Sequence, residues 1–265
     1  MPRYQLFEFE DLRGFPQVIR EGMMDFLRHA ITWLNFYKPI VPFIKETLEQ
    51  CGETTIVELC SGGGGGVLKL RENLDAIGCH PKIILSDLYP NVETYENLKK
   101  QTNAEIDFIS EPVDALNVPS SLKGMRVLFS SFHHFTPEQA NSILQDAVSK
   151  NVPIGIFDAG TKSIFSILGI ILLQPAIFFV ATPFFRPFRW NRLLFTYILL
   201  MIPLCTMWDG CVSVLRFYTV KQLKDLTNQI NSENYIWKVG QVKNSIGAKV
   251  NYVIGYPEQR VSAPS

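Results

Sequence analysis

The sequence predicts an α/β fold: a doubly wound, mostly parallel seven-stranded sheet with a C-terminal antiparallel hairpin, N-terminal helices and a hydrophobic helical insertion. Three observations predict it. Short β-branched or apolar runs alternate with helix-like stretches between residues 55 and 157, the pattern of parallel strands joined by crossover helices. An unbroken glycine run at 62–66 stands between the first strand and the first helix of that alternation. Near the C-terminus two strand-like runs are joined by KNSIGA, which reads as a hairpin closing the sheet edge.

Taken in order, residues 16–50 read as mostly helical, with interruptions near Pro39 and Pro42, where the backbone loses a donor. Strands are expected at 55–59, 82–86, 106–109, 126–130 and 153–157, with helices at 92–101 and 137–150 among the connections. The second helix opens with Thr136, Pro137, Glu138 and Gln139; a Thr cap, Pro at the first position and Gln at the third make a strong start. The hairpin strands fall at 235–242 and 249–256. Four parts follow: an N-terminal helical cap (1–52), a core carrying the glycine run (53–162), an apolar hairpin inserted in it (163–208), and C-terminal helices with the terminal β-hairpin (209–265).

Composition narrows the function classes. A chain of 265 residues is long enough to bury a real core. Lys+Arg 25 against Asp+Glu 25 argues against a nucleic-acid partner, which needs a basic surplus. Hydrophobic residues at 47% against 19% charged exclude disorder. Five cysteines, none in a C-x-x-C pair, fit free thiols in a reducing compartment, and neither they nor the four histidines show metal-ligand spacing. The opening MPRYQLFEFEDLRGF lacks an apolar core of a signal peptide, so an intracellular protein is expected.

Within 163–208 the only charged side chains are Arg186, Arg189 and Arg192, which separate two uncharged arms, 163–185 and 193–208. As helices these would reach about 34 Å and about 24 Å. A transmembrane hairpin, a pair of buried core helices and a hairpin dipping into one leaflet all compete. Pro175, Pro183, Pro187 and Pro203, each read as a helix breaker, favour the dipping hairpin with arginines near lipid headgroups, on the cytoplasmic side.

The segment TTIVELCSGGGGGVLKL carries the strongest chemical signal. Consecutive glycines lose much backbone entropy on folding, and close approach of a ligand to the backbone explains their use. Nicotinamide, flavin and other nucleotide cofactors all use such turns. Two acids narrow the choice: Asp87 follows the second strand, where ribose hydroxyls would lie, and Asp114 follows the third.

Here the sequence resembles the class I, Rossmann-like S-adenosylmethionine-dependent methyltransferases. In that family an acid closes the first strand before a glycine-rich turn, a second binds the ribose and a third contacts the adenine. Glu58, Asp87 and Asp114 stand at matching positions, and Gly62 and Gly64 match two turn glycines. The resemblance covers roughly 53–157 and, through the terminal hairpin, the sheet topology; a dinucleotide oxidoreductase normally adds a sixth parallel strand instead. It implies S-adenosyl-L-methionine as cofactor, contacted by Glu58, Cys60, Ser61, Gly62, Gly64, Asp87, Leu88, Asp114, Ala115 and Ser130. Cys60 departs from the pattern, since the family usually has a glycine there.

Two further stretches are candidates for the acceptor side. The fourth strand runs into SSFHHFTPEQ, where Phe132 would line the acceptor and His133 or His134 could serve as base; the alternative is a hydrogen-bonded structural histidine beside an exposed one. In MWDGCVSVLRFYT, Asp209, Ser213 and Arg216 share a helix face. Asp209 would act as base, with Ser213 and Arg216 binding substrate; an internal Asp–Arg salt bridge is the plainer alternative. PFFRPFRW together with WDGCVSVLR is similar to bacterial methyltransferases with a hydrophobic insertion, a likeness that assigns no activity. The expectation is a membrane-associated methyltransferase acting on a lipidic or apolar small molecule, or else a membrane-associated binding or scaffold protein of the same fold without turnover.

Overall fold

The computed structural model describes residues 3–186, 188–230 and 233–258; Pro187, one of the expected helix breakers, lies outside the described residues. The helical N-terminal region resolves into α1 (Gln17–Trp33) and α2 (Val41–Cys51), with Pro42 in the first turn of α2, where its missing N–H costs nothing. Then follow β1 (Thr55–Glu58), α3 (Val67–Asp75), β2 (Lys82–Leu85), α4 (Val92–Gln101), β3 (Ile106–Phe108), β4 (Met125–Phe129), α5 (Pro137–Ser149) and β5 (Ile154–Ala159). The Thr136–Gln139 capping box forms in both directions, at 3.3 and 3.0 Å. Beyond the insertion come α9 (Val220–Asn228), β6 (Tyr235–Lys243) and β7 (Lys249–Pro257).

The sheet order is β3-β2-β1-β4-β5-β7-β6, with five parallel strands and β7 running antiparallel to both β5 and β6. This is the predicted seven-stranded, doubly wound sheet. Alternation along each strand feeds two cores: Ile56 and Val127 face α2, α3 and α4, whereas Val57 and Leu128 face α5 and α9.

The insertion consists of α6 (Ile164–Ala181), a short helix α7 (Trp190–Leu193) running into a π turn (Leu194–Ile198), and α8 (Met201–Arg216). It is held to α1 by a small third core of Ile19, Met23, Phe178, Ile202 and Cys205. The core-helix alternative fails for α6, because only 17% of its apolar window is buried. Phe165, Leu172 and Val180 are 80%, 70% and 72% exposed.

Two expectations for this region are corrected. Pro175 lies inside α6 and does not end it, since one lost backbone bond is carried by the neighbouring turns; Pro203 sits in the first turn of α8. The sharp break falls at Leu200, whose φ is +55°, and bends the second arm by 76°. Nor are all three arginines at the surface. Arg192 is buried, donates to Asp25 and to the Phe185 carbonyl, and Arg189 pairs with Glu21; both acids belong to α1. Arg186 is the exposed one. The helix α8 also runs unbroken across position 208, so the apolar arm and the Asp209 face are one rigid element.

Asp25 is thus the charge that pins the insertion, shared between Arg192 and Arg28. Removing one partner of a buried pair leaves the other uncompensated, at a cost of roughly 3–5 kcal/mol. Asp25→Ala is expected to lower stability by about 3 kcal/mol in denaturant titrations. An unchanged midpoint would mean that apolar packing alone holds the insertion.

Candidate active site

The strand order reverses at β1, since the chain runs outward through β2 to β3 and then crosses back to β4 on the other side; the carboxyl end of β1 is thus the switch point at which ligands of such sheets bind. The chain leaves β1 through Cys60, Gly62 and Gly64, with φ of +56°, +52° and +68°. Cys60 therefore occupies the left-handed conformation that glycine adopts at little cost, at a strain of about 1–2 kcal/mol, which explains how it replaces the usual glycine. Its thiol is pushed up to about 12 by burial first, then by Asp87 and Asp114. A Cβ on Gly64 would stand 2.5 Å from Leu98 Cδ1, whereas one on Gly62, Gly63 or Gly65 would meet nothing within 4 Å. Within the run, Gly62, Gly63 and Gly65 therefore present bare backbone to open space, while Gly64 and Gly66 are packed against Leu98 and Ile31.

Around it the predicted acids converge. The Glu58 carbonyl accepts from Ser86 N, Ser61 Oγ and Ser86 Oγ at 2.9, 3.0 and 2.8 Å, fixing the strand end. Its side chain is buried, and Oε2 has no hydrogen-bond partner. Burial, and secondarily Asp87, raises its carboxyl to about 8. Asp87 accepts from Gly62 N and Tyr89 N, both at 2.8 Å, and its carbonyl accepts from Val113 N, tying in the loop of Asp114. Asp114 accepts from Leu116 N at 2.9 Å and is exposed. Leu88 is exposed beside Asp87, but the methyl of Ala115 packs into the core and offers no side-chain contact. Ser130, with φ +45°, lies 2.5 Å from Tyr37 Oη and accepts from Ala159 N at 3.3 Å.

Sequence reasoning missed two tyrosines here. Tyr37, from the turn after α1, closes on Ser130, and Tyr95, from α4, donates to the Gly62 carbonyl at 2.9 Å. Nothing in their spacing marks either one.

On the acceptor side the structure corrects several roles. Phe132 is 0% exposed and packs against Tyr218 in the second core, so it cannot line an acceptor. His133 is buried with Nδ1 3.4 Å from Asp158 Oδ1, and burial holds its pKa below the usual range. His134 keeps 21% of its side chain exposed. Burial opposes its charge, but Asp11 at 3.0 Å, with Glu10 and Glu8, raises its pKa to about 9.

The face of Asp209, Ser213 and Arg216 is real, and neither the substrate role nor the internal salt bridge describes it. All three hold the chain's own N-terminal strap. Asp209 accepts from Phe9 N and Glu10 N at 2.8 and 3.2 Å, and burial lifts its carboxyl to about 6. Ser213 donates to Glu8 at 3.1 Å, and Arg216 donates to the Leu6 carbonyl and to Asp11 at 2.8 Å each. Arg3 completes the strap by donating to the carbonyls of Arg216, His133 and Phe135. The strap acids Glu8, Glu10 and Asp11 had no sequence signal, whereas Asp158, near the end of the fifth strand, could have been noticed as another acid at a strand end.

No protein-family model matches the sequence, and no curated protein matches it either. Among solved structures, the plantazolicin methyltransferase BamL, in complex with a triazolic desmethylPZN analogue and SAH, superposes with TM-score 0.51 at 10% identity, covering 91% of this chain and 98% of that one. The pyocyanin biosynthetic protein PhzM (TM-score 0.46) and the mitomycin 7-O-methyltransferase MmcR (0.47) are each 13% identical over 83% of this chain. This chain spans 54% of each of those two. The fold is that of the class I S-adenosylmethionine-dependent methyltransferases.

The raised Glu58 carboxyl has a consequence for stability. Its ordinary value is 4.5, and in the folded chain it lies near 8. Folding therefore takes up a proton between these values, and stability falls as pH rises through that window. Glu58→Gln should abolish this fall: its unfolding temperature should match the native chain at about pH 5 and exceed it at about pH 9. Parallel curves for the two proteins would show that Glu58 ionises normally.

Proposed function

We propose that this chain is an S-adenosylmethionine-dependent methyltransferase of the cytoplasmic membrane surface, acting on a lipidic or otherwise apolar small-molecule acceptor. The observation that carries the cofactor assignment is the buried Glu58 carboxyl, whose Oε2 has no hydrogen-bond partner, beside Gly62, Gly63 and Gly65, which face open space. An ammonium group would complete Glu58, Asp87 has lone pairs left for ribose hydroxyls, and Asp114 stands beyond them toward an adenine. That BamL, a chain of the same fold, holds SAH supports the assignment. When bound, the cofactor supplies an electrophilic methyl carbon; this chain's part is to place the acceptor in line with it and exclude water. Of the two adjacent histidines His134 is the one that solvent reaches; its ring nitrogens face Asp11, Glu8 and Glu10, so a contact with an acceptor would have to displace one of those carboxylates.

The membrane half of the proposal is supported by α6. Its inner side packs on α1 and α8, but its outward apolar face has no partner among the described residues, and a lipid surface would cover it. Exposed Arg186, beside it, suits an anionic headgroup. A second reading, a binding or scaffold protein without turnover, is favoured by the strap, which occupies the polar face of α8.

Calorimetric titration should give micromolar binding of S-adenosylhomocysteine and none of NAD(H). Asp87→Ala should weaken that binding by about tenfold or more, the value of one charge-assisted hydrogen bond. Binding of neither ligand would refute the cofactor assignment, and binding without methyl transfer to membrane lipid extracts would favour the scaffold. Separately, a Leu172→Asp/Val180→Asp chain should lose co-sedimentation with anionic vesicles at unchanged melting temperature; undiminished partition would refute the membrane surface assigned to α6.

A further inference from the structure

We propose that Glu8, His133 and His134 bind a first-row divalent cation, and that zinc is the ion their two imidazoles and one carboxylate suit best. One ligand atom from each of the three lies within 4.8 Å of the others. The ligands of a tetrahedral zinc ion stand roughly 3.3–3.6 Å apart, given bond lengths near 2.0–2.2 Å. Glu8 Oε2 and His134 Nδ1 already stand at 3.4 Å.

The surroundings arrange the three side chains as ligands. Glu8 is 0% exposed, a costly place for a carboxylate, and its two oxygens are treated differently. Oε1 accepts from Ser213 Oγ at 3.1 Å and lies 3.3 Å from Arg216 Nη1, whereas Oε2, turned to His134, has no hydrogen-bond partner. Each histidine keeps a carboxylate at its other nitrogen. Asp158 Oδ1 lies 3.4 Å from His133 Nδ1, leaving Nε2 for an ion, and Glu10 Oε1 lies 3.5 Å from His134 Nε2, with Nδ1 turned to Glu8 and Asp11. Such carboxylate–imidazole pairs fix the orientation of ligating histidines. Asp11 Oδ1, 3.0 Å from the same His134 Nδ1, is placed to supply a fourth ligand from the solvent side.

Charge points the same way. Glu8, Glu10, Asp11 and Asp158 converge on the two imidazoles, against Arg216 and the more distant Arg3. Arg216 Nη1 stands 3.3 Å from both His134 Nδ1 and Glu8 Oε1 and 2.8 Å from Asp11, so a bound ion would shift this guanidinium toward the Leu6 carbonyl that it also reaches. Because Glu8 belongs to the strap and the histidines to the turn after β4, the ion would also cross-link the chain's N-terminal segment to its core.

The inference does not use the cofactor, and its test needs none. Full-length protein freed of metal with a chelator is titrated with Co²⁺ and, separately, with Zn²⁺ under thermal unfolding. One equivalent of Co²⁺ should give the visible bands of a tetrahedral nitrogen–oxygen site without a thiolate charge-transfer band. The melting temperature should rise with each tenfold increase in free Zn²⁺. Glu8→Gln and His134→Gln should each weaken Zn²⁺ binding at least tenfold. The proposal is overturned by the absence of both signals, by a thiolate band that assigns the ion to a cysteine, or by Zn²⁺ affinity unchanged in Glu8→Gln. Should Glu8→Gln fail to fold, the cobalt spectrum of the native chain decides alone.

Discussion

The parallel pairing of β1 with β2 on one side and β4 on the other is the constraint on which the candidate site depends. A strand so placed has no free edge, so the chain leaving it must turn sharply within the width of the sheet. It does so through three left-handed residues, one of them a cysteine, and the backbone amide freed at Gly62 is taken by Asp87 arriving from β2. The same geometry leaves Glu58 at the end of a buried strand with its side chain short of one partner. The cost of a desolvated carboxyl is therefore built into the strand order, and it sits where a cationic group on a ligand would relieve it.

The insertion solves a different problem with the same means. Its outer surface is apolar, so the ties to the rest of the molecule are polar and concentrated on the inner side: Arg192 on Asp25, Arg189 on Glu21, and Asp209 and Arg216 on the strap. With Arg189 and Arg192 turned inward, Arg186 is the one charge left at the insertion's surface. The bend at Leu200 then turns the second arm back toward the core, so the two arms do not form a straight antiparallel pair across a bilayer. On the proposed function, that shape suits a shallow, one-sided contact.

The sheet was legible in the sequence almost strand for strand, because β-branched runs, the Thr136 cap and the glycine run each carry a local signal. Glu58 at the end of β1 and Asp87 two residues past β2 were legible as acids at strand ends, with Asp114 in the longer loop after β3. What could not be read was anything made by residues far apart in the chain. Tyr37 on Ser130, Asp25 on Arg192 and the strap acids on His134 and Arg216 depend on tertiary placement, to which periodicity is blind. Phe132 shows the converse error. Its position after a strand suggested the crevice, but one turn of 3-10 helix rotates it into the core and leaves His134 facing outward.

The strap joins the two halves of the molecule energetically. Burying Glu8 in a segment with so little secondary structure of its own is unfavourable unless α8 and the turn after β4 are both in place, since Ser213 and Arg216 come from one and the histidines from the other. Conversely, Asp209 and Arg216 lie at one end of the rigid helix whose other end belongs to the apolar insertion. A displacement of α8 would carry both anchors with it and loosen the strap over His134. On the proposed function, the helix that seats the insertion at a lipid surface is also the one that anchors the strap over His134.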